Sequence, residues 1–159
     1  MCIWIWLIWI YFYNGFQFFY QLAARNKVAA LADIIKYIET DEQTHLSMMS
    51  YIIRDMFDVN DFDDRTILID TLVEATEQEI EWSESVYGDR ILGISKESSA
   101  AYSKYLCNQR AKTIGVGTLY KGFSSDPYDY LNSRKRGNFF ERTVTEYSQN
   151  TAVSGWDSF

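Results

Sequence analysis

Glu42-Gln43-Thr44-His45 places the only histidine of the chain three residues after a carboxylate. On a helix, residues three apart project from neighbouring turns of one face, so carboxylate and imidazole can converge on one metal ion. Bundles with a carboxylate-bridged pair of iron or manganese ions use two such Glu-x-x-His pairs, one from each of two helices, plus one carboxylate from each of two more. A single histidine supplies at most one pair. Either another chain completes the site or there is no dinuclear site. Glu-x-x-His alone arises by chance in many helices, and a solvated or capping histidine is the competing reading.

The surrounding residues favour a ligand role. Tyr37, Ile38, Asp41, His45, Met48, Met49, Ile52 and Ile53 recur at helical spacing as a largely apolar stripe, with Glu42 and His45 at its border. Charges at the edge of a buried face need a partner, and a hard cation is a suitable one.

The elements that must hold these residues read as helices. One Pro and eight Gly in 159 residues leave few helix breakers, which favours an all-α domain over a sandwich or barrel. A first helix is predicted over Ile3–Ala24, distorted at Asn14-Gly15 and bending near Asn26 into a second over Lys27–Asp58. The third is predicted over Arg65–Val86, capped by Asp64 and stopped by Gly88. Its apolar surface includes Ile67, Leu68, Leu72 and Trp82, the last as core packing. The fourth runs over Lys96–Ile114 and ends at Gly115. Residues 1–117 thus form a helical bundle fragment, and residues 118–159 a loop around Pro127 followed by a mobile tail.

Other features exclude function classes. A net charge of -7 opposes sequence-independent nucleic-acid binding, despite Arg134-Lys135-Arg136, which reads as a solvated turn. The aspartates from Asp55 to Asp64 lack the Gly and final Glu of an EF-hand loop. Gly115-Val116-Gly117 follows a helix instead of a strand and is no dinucleotide loop. Cys2 and Cys107 show no C-x-x-C spacing and fit a reducing, cytoplasmic setting. The first 24 residues carry no charge, but Asn14, Gly15, Gln17 and Gln21 interrupt the apolar run. A buried helix and a membrane-associated segment are both compatible with it, the uninterrupted part being short for a span.

These residues resemble the small, radical-generating subunit of ribonucleotide reductase. Asp41-Glu42-x-x-His45 is similar to its central metal-helix motif, and Phe12-Tyr13-Asn14-Gly15-Phe16 to the segment before it. Glu77 to Trp82, Gly93, Tyr102, Tyr105 and Asn108-Gln109-Arg110 follow in the family's order, and Asn138-Phe139-Phe140-Glu141 to Glu146-Tyr147 resembles its tail. The resemblance covers about Ile10 to Phe159 and identifies a C-terminal half of that subunit, with a ferritin-like bundle as the implied fold. It departs at Ile8, where the family places a carboxylate ligand. Residues 1–9 therefore read as a non-native extension, from a gene split by an insertion or from a truncated gene model.

The resemblance implies Glu42 and His45 as ligands of a dinuclear iron or manganese/iron centre, incomplete in this chain alone. It implies Asp41 as an acid hydrogen-bonded into the radical path, and Phe12, Phe16 and Ile38 as the apolar pocket around the radical. Tyr147 would relay the radical across the interface, with Glu141 preceding it at the family's spacing. Trp156 and Phe159 would anchor the tail on the large subunit. The implied partners are that large subunit, a separately encoded N-terminal half and, once complete, a second small subunit. The rival readings are an inactive relic that still docks, another ferritin-like oxidase, and a membrane-associated helical protein whose Glu-x-x-His is accidental.

Overall fold

The computed structural model describes residues 10–25 and 27–131. Four α-helices follow in order: α1 (Tyr13–Ala23), α2 (Ala29–Met56), α3 (Phe62–Val86) and α4 (Lys96–Thr113), then a 3-10 turn at Asp129–Leu131. Among the described residues there is no strand, only a bridge between Ile91 and Ile94. No helix of the described residues is long and apolar enough to cross a membrane.

The helix starts refine the sequence reading in three places. Phe12 takes a left-handed backbone (φ 75°), and the described helix begins at Tyr13 with Asn14-Gly15 in its first turn; residues 3–9 of the predicted first helix lie outside the described residues. Val28 is also left-handed (φ 48°), a conformation rare for a β-branched residue, and α1 and α2 are separate helices instead of one bent one. Asp61, not Asp64, caps α3: its carboxylate accepts from the N–H groups of Asp63 and Asp64 at 3.0 Å each. Asp64 instead accepts from the Asp58 N–H at 2.9 Å and closes the preceding loop. Ser95 and Ser98 cap α4 reciprocally, and left-handed Gly115 follows its end.

Two helix pairs make the body. α1 packs on α2 and α3 on α4, and α1 also meets α4, joining the pairs. Leu68, Leu72, Leu106, Ala111 and Ile114 are almost wholly buried between them, each leucine contributing roughly 1.5–3 kcal/mol. Trp82 is 43% exposed and meets only the edge of Tyr87 among the described rings, so it is a surface residue. Beyond α4 the chain turns back over the helices. Asn108, fully buried, binds it with all four hydrogen-bonding positions: its amide donates to the carbonyls of Tyr120 and Phe123, and its oxygen accepts from the N–H groups of Leu119 and Tyr120. Tyr128 and Leu131 then bury themselves, and the Tyr128 hydroxyl donates to Ser98 Oγ.

The centre is more polar than leucine packing would suggest. Glu79 on α3 is 2% exposed; the Asn14 amide from α1 donates to it at 3.1 Å and to Ser103 Oγ of α4 at 2.9 Å. One asparagine therefore ties three helices together. Burial raises the Glu79 pKa from 4.5 to about 7, against the opposing effect of the Asn14 hydrogen bonds. Between those values the folded chain holds a proton that the unfolded chain has released. This group's stabilisation is therefore greatest below about pH 4.5, falls as pH rises towards 7, and is flat beyond. Denaturant unfolding should show a loss on the order of 3 kcal/mol across that window, and Glu79→Gln should flatten the profile. An unchanged slope in the variant would assign it to other groups.

Candidate functional site

α2 holds Asp41, Glu42 and His45. Its 28 residues contain neither Gly nor Pro, so nothing interrupts the helix at the motif. Glu42 Oε2 and His45 Nδ1 lie 3.5 Å apart, as the spacing predicts, with side chains 34% and 53% exposed. At that distance and exposure their mutual attraction contributes little to stability. What the pair offers is one oxygen and one nitrogen donor, side by side and open to an incoming cation.

Of the apolar stripe predicted around them, only Met49 and Ile53 lie on the face that packs. The inward seam of α2 is Ala32, Ile35, Leu46 and Ile53, all buried, with Glu39, Glu42 and Met49 half-buried at the same three- and four-residue intervals. Tyr37, Ile38, Met48 and Ile52 are exposed, at 65%, 43%, 52% and 42%. The period holds, but the stripe is centred too far towards the exposed side, because Glu39 and Glu42 occupy inward positions that an apolar template excludes.

Glu39 is the residue that sequence reasoning missed. It accepts from the Tyr20 hydroxyl at 2.5 Å; burial, reinforced by this bond, pushes the Tyr20 phenol far above its usual range. Its signal was its place one turn before Glu42. Tyr13 lies nearby: burial raises its pKa and the Arg110 guanidinium, 5.1 Å above its ring, lowers it, while Glu39 and Glu42 raise it further. Glu39 also borders a cleft of about 370 Å³ with Lys36, Gln43, Tyr102 and Arg110. Tyr102 is fully enclosed, its oxygen accepting from the Gln17 amide at 2.8 Å.

Of the pocket residues, Phe16 is buried, at 8% exposure, edge-on to Tyr13. Phe12 and Ile38 are exposed, at 62% and 43%, so no closed apolar pocket joins the three among the described residues. Asp41 is exposed beside Glu42. Glu141, Tyr147, Trp156 and Phe159, like Ile8, lie outside the described residues. Among the described residues no three metal-binding side chains come close enough to hold an ion. The donor types of Glu42 and His45 suit iron or manganese, but two donors do not complete a coordination sphere.

Comparison with known proteins follows the same residues. The model of the family "Ribonucleotide reductase, small chain" matches residues 3–127. The ribonucleoside-diphosphate reductase subunit beta of Treponema pallidum is 36% identical, over 91% of this chain and 44% of that protein. The subunit beta of Halalkalibacterium halodurans is 31% identical, over 92% and 45%. Among solved structures, a putative class I ribonucleotide reductase from Bacillus halodurans aligns with a TM-score of 0.70 at 31% identity, over 75% of this chain and 39% of that one. The R2 subunit from Clostridium botulinum aligns at 0.67 and 34%, over 79% and 42%. These structural relatives are ferritin-like helical bundles. The chain spans less than half the length of the curated relatives it matches.

The exposure of the site separates its residues by role. Leu46→Ala, at 8% exposure one residue beyond His45, should cost about 2–4 kcal/mol. His45→Ala should stay within about 0.5 kcal/mol. Denaturant unfolding of the purified chain decides this: equal losses would mean that His45 is a packing residue.

Proposed function

This chain belongs to the ribonucleotide reductase small chain family, and on that premise we propose that it is the C-terminal part of a ribonucleoside-diphosphate reductase small subunit. It would supply one helix pair's donors, Glu42 and His45, to a dinuclear iron or manganese/iron centre, with the remaining ligands carried by the N-terminal part of the subunit. The observation that carries this reading is the open donor face of α2: a carboxylate and an imidazole 3.5 Å apart, flanked by exposed Ile38 and Met48. A helix with apolar side chains left in water beside two free donors is one face short of its neighbours. The relatives' greater length provides the material to cover it.

Within a completed subunit, covering this face would bring Phe12 and Ile38 out of water to join Phe16, which is already buried. The metal pair, when bound, supplies one-electron oxidising chemistry. This chain's share is to hold two donors in register, to place Asp41 beside them for a hydrogen bond, and to keep water out. In the tail, Tyr147 would relay the radical to the large subunit, with Glu141 near it, and Trp156 and Phe159 would anchor the contact. Completed small subunits would pair with one another, and the assembly would act in the cytoplasm on ribonucleotides for DNA synthesis. A docking-competent but inactive relic is the second reading, favoured by Ile8 at the position where the family carries a carboxylate.

The purified chain alone should bind no metal pair. Mixed with the complementary N-terminal polypeptide under iron and oxygen, it should acquire one, and His45→Ala should weaken binding by well over the roughly 10–100-fold typical of a residue that only supports a ligand. Ile8→Glu should strengthen it. Equal metal affinity in parent and His45→Ala would remove His45 from the centre. In the tail the two roles separate. Deleting Val153–Phe159 should weaken binding to the large subunit, by about 2 kcal/mol or more for each aromatic anchor. Tyr147→Phe should leave binding intact and abolish turnover. Normal turnover in Tyr147→Phe, or unchanged binding after the deletion, would refute the corresponding role.

A further inference from the structure

The two helix pairs meet along a junction made of polar contacts. The Asn14 amide of α1 donates to Glu79 of α3 at 3.1 Å and to Ser103 Oγ of α4 at 2.9 Å, the Gln17 amide donates to the Tyr102 hydroxyl at 2.8 Å, and the Tyr11 hydroxyl donates to Gln78. Glu79 is the one carboxyl among these groups, and it is 2% exposed. The titratable groups that face it are the phenols of Tyr11, just before α1, and Tyr87, just after α3; burial raises the pKa of both, and Glu79 raises it further. α4 contributes Ser103 on the same amide, and no Lys, Arg or His of the described residues offsets the charge of Glu79. Burial favours the protonated acid, against the side-chain and backbone hydrogen bonds of Asn14, which favour the carboxylate. Asn14 carries a second sign of the acid. Its Oδ1 is buried without a hydrogen-bond partner among the described residues, on the same planar amide whose nitrogen reaches Glu79. A protonated carboxyl supplies a donor beside that acceptor, whereas an ionised one adds a further acceptor.

We propose that Glu79 is a proton-operated latch between the two helix pairs: protonated, it closes α1 on α3 and α4, and ionised, it lets α1 go while α3 and α4 stay paired. What makes the opening local is the difference in how the elements are held. α3 and α4 share Leu72, Leu106 and Ala111, buried and apolar, whereas α1 is eleven residues long, has no side-chain cap at Phe12, and is held to α3 and α4 by the hydrogen bonds above. A helix of that length does not hold itself in water once those contacts part. The direction follows from which state keeps the proton. The closed state retains it up to about pH 7 and the open state releases it from about pH 4.5, so the latch is tightest below about pH 4.5, loosens as pH rises to about 7, and is level beyond. Every group involved lies on this chain's own helices and turns, so the latch does not rest on the proposed function.

Hydrogen exchange of the full chain, followed amide by amide at several pH values in dilute denaturant and corrected for the intrinsic pH dependence of exchange, tests this. The α1 amides should exchange through a small opening, insensitive to denaturant, and be at least about tenfold less protected than those of Leu72, Leu106 and Ala111, which wait for global unfolding. Their protection should fall by up to about tenfold per pH unit until about pH 7 and then level. Glu79→Gln keeps a neutral side chain of the same shape and should flatten this slope. Glu79→Met is also neutral, and takes its place if circular dichroism shows that Glu79→Gln has lost helicity. Ser103→Ala removes the other partner of the Asn14 amide and should lower α1 protection at every pH while keeping the slope. α1 exchanging only together with α3 and α4 in one denaturant-dependent event, an α1 slope that survives the neutral substitution at Glu79, or a slope lost in Ser103→Ala would each overturn the proposal.

Discussion

A helix whose apolar positions fall on two seams about a quarter-turn apart cannot bury both against one neighbour. α2 is such a helix. Ala32, Ile35, Leu46 and Ile53 are buried in this chain, while Ile34, Ile38, Met48 and Ile52 face water. Glu42 lies half-buried on the inner seam and His45 on the outer one, so the donor pair bridges the two seams. The arrangement of the rest follows from this geometry. α1 covers one side of α2, α3 and α4 form their own pair, and the other side of α2 keeps its apolar side chains and His45 exposed.

The covered side is held by chemistry that a leucine core would not need. Asn14 donates to Glu79 and Ser103, Gln17 to Tyr102, and Asn108 fixes the returning chain with four hydrogen bonds. Such a network specifies one packing of the helices, because any rotation leaves a buried polar group without its partner. α1 is short, eleven residues, and an isolated helix of that length is marginal in water. Its polar contacts to α3 and α4 set its rotation, and through Tyr13, Phe16 and Tyr20 they set where the inner side of α2 sits. The Tyr20–Glu39 hydrogen bond then fixes a point on α2 one turn before Glu42.

The order and type of the elements were legible in the sequence because few breakers interrupt the periodic segments and Gly88 and Gly115 mark two of the stops. The family was legible because Asp41-Glu42-x-x-His45 stands among several ordered motifs. The starts were less so. Asp61 and Asp64 are equivalent as residue types, and only the loop geometry decides which carboxylate caps α3 and which closes the turn. The phase of α2 was misread for a different reason. Hydrophobicity gives the outer seam more weight, since Ile34, Ile38, Met48 and Ile52 are more apolar than Ala32, Glu39 and Glu42. Burial follows which face has a neighbour, and a segment without its neighbour shows its most apolar side to solvent. Glu79 and Asn108 carried no local signal, because what sets their roles lies 65 and 11–15 residues away in sequence.

The same reasoning bears on the donor pair. An Ile at position 8 and an exposed imidazole would, in a complete bundle, both argue against a working centre. In a chain that spans less than half of its relatives' length, the exposed imidazole does not argue against a ligand role. On the proposed reading, Ile8 stands where one further carboxylate donor would be expected. Glu39 does not replace that donor in this arrangement: its carboxylate is held by Tyr20 on the inner seam, whereas His45 points along the outer one. On the proposed reading, the competence of the site turns on whether the remaining ligands tolerate one missing carboxylate.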